Sequence, residues 1–405
     1  MNEKLIVKNF GPIREAELDL KKVTVFIGPQ GSGKSTLAKL VAICKEDEKP
    51  SLFSEKSKIN FREDDYGLRS FKNSNTMFQY KSKISKIDYE TEYVIRRTSI
   101  GKNIESQVLK VAERLRLIGQ VEEHFTVESM ETIFRNYTKI LKENNIGTPT
   151  YIPTERFLLS TISSSLFGLM NNDINLPKNL TEFGNKYSKA GINISSDDIT
   201  ITSIENFDPK VNIPKHIELF DLQFQHRDGQ DFLIDTKNNY EVNLKDSASG
   251  MQSSIPLILV VRHEYSEGNK YFIIEEPELN LFPTTQKQLI GYLADRCTQN
   301  GNELLMTTHS PYVLSAINNL IFAYKVAHEV PEMADEVAKI IPREQWLNPD
   351  DVAAYYVADG TAKSIIAEKF GLIGENELDA ISEDIAGERD DLFKILKSKK
   401  RETVH

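Results

Sequence analysis

The sequence predicts an α/β protein built on a mixed sheet, with a small antiparallel lobe, a short helical insertion and no long coiled coil. Three observations carry this expectation. A β-branched run from Val23 to Ile27 closes on Gly28 and passes through a glycine-rich turn into helix formers from Thr36 to Cys44, the pattern of a doubly covered strand feeding a helix. Two later apolar runs, Tyr271 to Ile274 and Leu304 to Met306, stop abruptly on polar residues, as buried strands do at the edge of a sheet. Helical spacing between these runs occurs only in short, broken stretches, which do not sustain heptads.

The bulk properties narrow the class. A chain of 405 residues with 40% hydrophobic content can bury a large core, as one large domain with an insertion or as two. The longest aliphatic run, Ile255 to Val261, falls far below the ~18 apolar residues of a spanning helix, and residues 1–8 do not resemble a signal peptide. A cytoplasmic protein with no membrane partner is expected. Cys44 and Cys297, the two cysteines, have no paired ligand spacing, which excludes a disulfide framework or a zinc site. The balance of 50 basic against 60 acidic residues, a net charge of -10, excludes a whole-surface nucleic-acid footprint but leaves room for a local basic patch.

Taken in order, residues 1–100 read as an N-terminal lobe. Leu5 to Val7 and the alternating Ala16, Leu18 and Leu20 form two strands around a turn at Asn9, Gly11 and Pro12, and Ile84, Ile87, Tyr89, Tyr93 and Ile95 suggest a small antiparallel sheet. Residues 101–200 read as a helical insertion, with helical spacing over about 105–145, a break at Gly147 and Pro149, a short strand at Tyr151 and Ile152, and further helix from Leu158 to about Ala190 interrupted near 171–177. Residues 201–320 form a second lobe that alternates from Ile217 to Leu244 around turns at Asp228-Gly229 and Asn238-Asn239. Residues 321–405 read as a C-terminal hairpin around Asp359-Gly360 and a helical cap containing Leu378, Ile381, Ile385, Leu392 and Leu396.

Four segments carry chemistry. Gly28, Pro29, Gln30, Gly31, Ser32, Gly33, Lys34 and Ser35 match the phosphate-binding loop in its required strand-to-helix setting. The glycines let backbone N–H groups turn inward around a phosphate, and the helix start carrying Thr36 points its positive end at the anion. Lys34 can bridge the β- and γ-phosphates while Ser35 holds Mg²⁺. The strand from Tyr271 ends in Glu275 and Glu276, with Glu275 placed to reach Mg²⁺ and Glu276 to polarise the attacking water. The strand from Leu304 ends at His309. Ser249, Gly250 and Gln252 lie at the start of an apolar helix, where small and hydroxyl residues make an N-cap or an anion site.

In this order the four segments resemble the ATP-binding-cassette ATPases of the SMC, RecF and OLD group. Gly28 to Ser35 looks like Walker A, Ser249 to Gln252 like a divergent signature, and Ile273 to Pro277 like Walker B with the catalytic glutamate. Glu278 to Pro283 looks like the D-loop and His309 like the switch histidine. The signature has Met251 where a second glycine is usual, and Glu275 replaces the commoner aspartate. Tyr151 to Arg156 and Lys8 to Ile13 are similar to segments of bacterial ATPases in antiphage systems such as PARIS and Septu, with Glu155 and Arg156 standing where a Q-loop would lie.

The resemblance implies ATP with Mg²⁺ as cofactor and ATP hydrolysis as the activity. It also implies a homodimer or higher homo-oligomer in which Ser249 of one copy caps the nucleotide on Lys34 of the other. The segment after His309 has only a faint echo of a TOPRIM domain at Val357 to Gly360 and no Asp-x-Asp. No nuclease activity is therefore expected in this chain, and a separate effector protein, such as a nuclease, is the expected partner, with DNA or a phage protein as trigger. The alternative is a RecF- or SMC-like repair ATPase that clamps DNA through Arg96, Arg97, Lys102, Arg114 and Arg116.

Overall fold

The computed structural model describes residues 3–47, 66–71, 75–81, 85–90, 93–98, 147–162, 177–194, 199–200, 220, 222–227, 229–235, 237–367, 371–374, 387–388 and 392. Eleven strands form one mixed sheet. In chain order they are β1 (Glu3–Phe10), β2 (Ile13–Leu20), β3 (Val23–Ile27), β4 (Met77–Lys81), β5 (Ser85–Glu90), β6 (Tyr93–Thr98), β7 (Thr148–Ile152), β12 (Lys270–Glu275), β13 (Glu303–Thr308), β14 (Val352–Ala358) and β15 (Thr361–Ser364). Across the sheet they run β6-β5-β4-β1-β2-β15-β14-β3-β13-β12-β7. A second, four-stranded antiparallel sheet holds β8 (Ile199–Thr200), β9 (Gln223–Arg227), β10 (Gln230–Asp235) and β11 (Tyr240–Asn243).

The wing β14, β3, β13, β12, β7 is parallel throughout. Parallel strands lie beneath helices on both faces, which is why β3 and β12 are buried at every position. One face packs against α1 (Lys34–Asp47), together with β1, β2 and β4. The other is covered by α2 (Arg156–Ile162), α3 (Lys178–Ile194), α4 (Ser249–Tyr265), α5 (Pro283–Thr298) and α6 (Pro311–Glu329). At 19 residues α6 is the longest helix among those described.

Register decides what the sheet can do. Ile27 pairs with Thr308 and Tyr356, Glu275 with Thr307, and Ile152 with Ile274. The residues that follow β3, β13, β12 and β7, namely Gly28, His309, Glu276 and Pro153, therefore emerge together beside Val357 of β14 along one carboxyl edge, where ligands bind in open α/β sheets.

The structure departs from the sequence reading in two places. The antiparallel strands of 77–98 are not a separate lobe, because β4 pairs with β1 (Leu5 with Tyr80) and extends the main sheet. An unpaired β1 edge would leave a row of buried N–H and C=O groups unsatisfied. The hairpin around Asp359-Gly360 forms, but β14 lies inside the sheet beside β3 rather than capping it. Val352, Ala353, Ala354, Tyr355 and Val357 are buried, and such a strand needs partners and cover on every side. The helical patterns of 105–145 and most of 378–396 lie outside the described residues.

Candidate active site

The loop after β3 is shaped by what cannot fit beside it. Gly28 has φ +152°, and a Cβ there would stand 2.1 Å from the main-chain oxygen of Val357 on β14. Only glycine allows the two backbones to approach so closely. Pro29, Gln30 and Gly31 are exposed, the Ser32 hydroxyl is buried without a partner, and Gly33 leads into α1 through Lys34, Ser35 and Thr36. Lys34 is buried and folded back on its own loop, donating to the carbonyls of Gly28 at 2.9 Å and Pro29 at 2.8 Å. Burial, opposed in part by Glu276, Glu278 and Glu275, lowers its pKa to about 8, the response of an ammonium removed from water.

From Lys34 a polar string crosses β13 to β12. Lys34 Nζ lies 3.4 Å from His309 Nδ1, and His309 Nε2 lies 3.0 Å from Glu276 Oε1. With Nε2 protonated and donating to Glu276, Nδ1 is left to accept from Lys34. The bond from His309 holds the Glu276 carboxyl below the usual range, with Lys34 and Arg156 assisting against burial. Glu276 has φ +42°, a left-handed conformation uncommon for a side chain of this size. Its N–H donates to the Thr307 carbonyl at 3.0 Å.

Glu275 is 2% exposed. Its Oε2 accepts from the Thr154 hydroxyl at 3.2 Å and the Thr154 N–H at 3.4 Å, while Oε1 has no partner. The buried Tyr151 hydroxyl interacts with Glu275 without a well-formed hydrogen bond; a buried carboxylate oxygen left so is costly, and a divalent cation beside it would satisfy that oxygen. The hydroxyl at Ser35 and the carboxylate at Glu275 are hard oxygen donors of the kind Mg²⁺ prefers. The inward loop, the buried Lys34 and this orphaned oxygen fit a nucleotide phosphate with its metal.

One further acid and one base frame the edge. Glu278 is buried, and burial raises its pKa. Its Oε1 accepts from the Thr308 hydroxyl at 2.6 Å and the His309 N–H at 2.9 Å, which fixes the turn carrying His309. Arg156, also buried, donates to the carbonyls of Pro153, Ser253, Glu275 and Glu276. Burial lowers its pKa to about 10, so it remains a cation.

Helix α4 begins next to this edge. Ser249 is its first residue and is exposed; Ala248 stands at the N-cap, so Ser249 does not cap the helix. A Cβ on Gly250 would meet the Asn280 carbonyl at 2.7 Å, and Ser253 Oγ donates to the Leu279 carbonyl at 2.7 Å. The helix start is thereby packed on the turn after Glu276. Gln252 points away, its amide donating to the carbonyls of Lys245 and Ser247. Arg96 and Arg97 lie on the edge strand β6, and Lys102, Arg114 and Arg116 fall outside the described residues.

The sequence model of the AAA ATPase domain matches residues 1–79 and 67–314. The chain belongs to that family. This AAA ATPase domain is also similar to the SMC head domain from Thermotoga maritima, at 12% identity over 91% of this chain and 100% of that one, with a TM-score of 0.37. A Smc head with an extended coiled coil bound to the C-terminal domain of ScpA, from Pyrococcus furiosus, is similar at 10% identity over 95% and 99% of the two chains, with a TM-score of 0.37. No curated protein matches the chain.

The structure brings the loop of 28–36, Glu275, Glu276 and His309 of the AAA ATPase domain to one edge. Sequence reasoning named Glu278 only as the start of a D-loop and Tyr151 to Arg156 only as a Q-loop position, and so missed the contacts of Thr154 with Glu275 and of Glu278 with Thr308 and His309, and undervalued Arg156. The available signal was positional: Thr154 and Arg156 lie shortly after the end of the short strand β7, as Glu276 lies directly after β12.

Proposed function

We propose that this AAA ATPase domain binds ATP with Mg²⁺ and hydrolyses it in a pocket completed by a second copy of the chain. The observation that carries the reading is the hydrogen-bonded string Lys34, His309, Glu276 beside the unpartnered Oε1 of Glu275.

Lys34 exchanges its two carbonyl partners for phosphate oxygens, trading neutral acceptors for charged ones that bind an ammonium about twice as strongly. The N–H groups of 28–36 and the N-terminus of α1 hold the phosphates. Ser35 and Glu275 would hold Mg²⁺, which would supply charge neutralisation at the phosphates. Glu276 orients and polarises the attacking water, and His309, donating to Glu276 through Nε2 and accepting from Lys34 at Nδ1, couples that carboxylate to the lysine that holds the γ-phosphate. Ser249 and Gly250 of the second copy supply donors to the exposed side of the γ-phosphate, so assembly follows nucleotide state.

Further from the chemistry, the resemblance of Lys8 to Ile13 and of Tyr151 to Arg156 to segments of bacterial antiphage ATPases supports a role in switching a separate effector protein, such as a nuclease. DNA or a phage protein would act as the trigger. Glu276→Gln is expected to retain ATP and elute from a sizing column as a larger species with ATP than without it; an unchanged elution volume sinks the composite pocket. Lys34→Ala is expected to abolish phosphate release, and retained turnover sinks the assignment of the loop.

A further inference from the structure

Arg156 is 0% exposed, and the hydrogen bonds described for it all go to main-chain carbonyls. Nε donates to Ser253 at 2.8 Å, one terminal nitrogen to Pro153 at 3.0 Å and Glu275 at 2.6 Å, and the other to Glu276 at 2.6 Å. Burying a guanidinium is expensive unless its donors are satisfied. Here the compensation comes from four carbonyl dipoles and the nearby charges of Glu278, Glu275 and Glu276. A planar fork can reach several separate carbonyls at once, which the single ammonium of lysine does not reproduce.

The segments it joins are the informative part. Two are the ends of neighbouring strands β7 and β12 at the carboxyl edge. The third is α4 at Ser253, just past its first turn, where the Ser253 hydroxyl also donates to the Leu279 carbonyl. The Arg156 bond to the Glu276 carbonyl acts on a residue held at φ +42°, a backbone state that persists only where its surroundings impose it. A shift of the α4 start relative to the sheet therefore reaches the main chain of Glu276 through one side chain.

We propose that Arg156 is the positioning residue that ties Glu276 to helix α4, so that the placement of the water-orienting carboxylate depends on how the start of α4 is seated. The inference rests on the reading of Glu276 given under Proposed function. It assigns to a buried arginine the link between the end of β7, Glu276 and the helix that meets the second copy.

The test uses the full chain carrying Arg156→Lys, which keeps a cation and loses the fork. ATP turnover and the affinity and stoichiometry of AMP-PNP binding are measured alongside the unaltered chain and Lys34→Ala. We expect kcat to fall by about 10- to 100-fold, the scale of a misplacement near 1 Å, with Kd for AMP-PNP within about threefold and the same number of nucleotides bound per chain. A kcat within about twofold of the unaltered chain, while Lys34→Ala is inactive, overturns the inference and leaves the site reading intact. Parallel loss of nucleotide binding and turnover also overturns it, because that is the result of a purely structural role. Absence of turnover in the unaltered chain, or its retention in Lys34→Ala, overturns the site reading and the inference with it.

If Arg156→Lys does not fold, hydrogen exchange on the unaltered chain decides. Segments 249–256 and 275–280 are expected to gain protection together on adding AMP-PNP, and a gain confined to one of them overturns the coupling.

Discussion

Replacing Gly28 by alanine puts a methyl carbon 2.1 Å from the Val357 carbonyl oxygen, 3.0 Å from its carbon and 3.3 Å from its nitrogen. Ordinary contact begins near 3.4 Å, so the two backbones must part by about 1.3 Å. Neither can yield alone, because β3 and β14 are hydrogen-bonded neighbours up to the pair Ile27 and Tyr356. Overpacking of this kind costs about 1–3 kcal/mol, and holding a non-glycine residue at φ +152° adds about 1–3 kcal/mol, so roughly 2–6 kcal/mol of stability or of loop geometry is lost. Gly31→Ala is the control within the same loop. Gly31 has φ +74° but nothing within 4 Å of the added carbon, leaving only a backbone term of about 1–2 kcal/mol. Urea midpoints and equilibrium binding of AMP-PNP read both variants. Gly28→Ala is expected to show the lower midpoint and to lose nucleotide binding, whereas Gly31→Ala folds close to the unaltered chain. A loss for Gly31→Ala equal to or larger than that for Gly28→Ala would refute the close-approach argument.

Two further predictions concern acids buried in different ways. Glu264 lies between Lys186 at 3.1 Å and Lys270 at 2.8 Å; burial alone would raise its pKa, but the two ammonium groups outweigh it and bring it to about 2. A carboxyl depressed on folding stabilises above its unfolded value of 4.5, and the contribution, up to about 3 kcal/mol, is lost as pH falls from 4.5 toward 2. Glu264→Gln should therefore be less stable at pH 7 and show a flatter decline of urea midpoint below pH 4.5, and an equally steep decline would remove Glu264 from the explanation. At Glu278 burial favours the neutral form, so Glu278→Gln, which keeps an acceptor for Thr308 and His309, should stay within about 1 kcal/mol of the unaltered chain, whereas Glu278→Leu strands both donors and loses about 1–3 kcal/mol. Equal melting temperatures for the two variants would count against this account.

Where the pattern was local, the residues alone sufficed. The loop from Gly28 to Ser35 is legible because strand, glycine turn, lysine and helix start occupy consecutive positions, and backbone geometry over eight residues follows from their identity. The carboxylates at Glu275 and Glu276 and the histidine at 309 were legible as strand ends, since an apolar run that stops on a polar residue marks where a buried strand reaches solvent or ligand. The placement of the 352–364 hairpin was not legible. A buried β14 satisfies the periodicity of a cap as well as that of a sheet strand, and only the need of β3 for a second partner distinguishes them.

Arg156 shows the remaining limit most clearly. Its neighbours in sequence say that it begins a short helix, and nothing in Tyr151 to Ile162 says that its guanidinium spans Ser253, Glu275 and Glu276. Those contacts depend on the register of β7 against β12 and on the packing of α4 over both, which are long-range hydrogen-bonding and volume constraints that no window of residues contains. The sequence by itself determined the glycine loop between β3 and α1, the two strand-end acids and the class of the sheet, because each is written in adjacent residues. The tertiary structure alone decided which strand lies beside which and which buried cation joins them, because burial converts distance in sequence into contact.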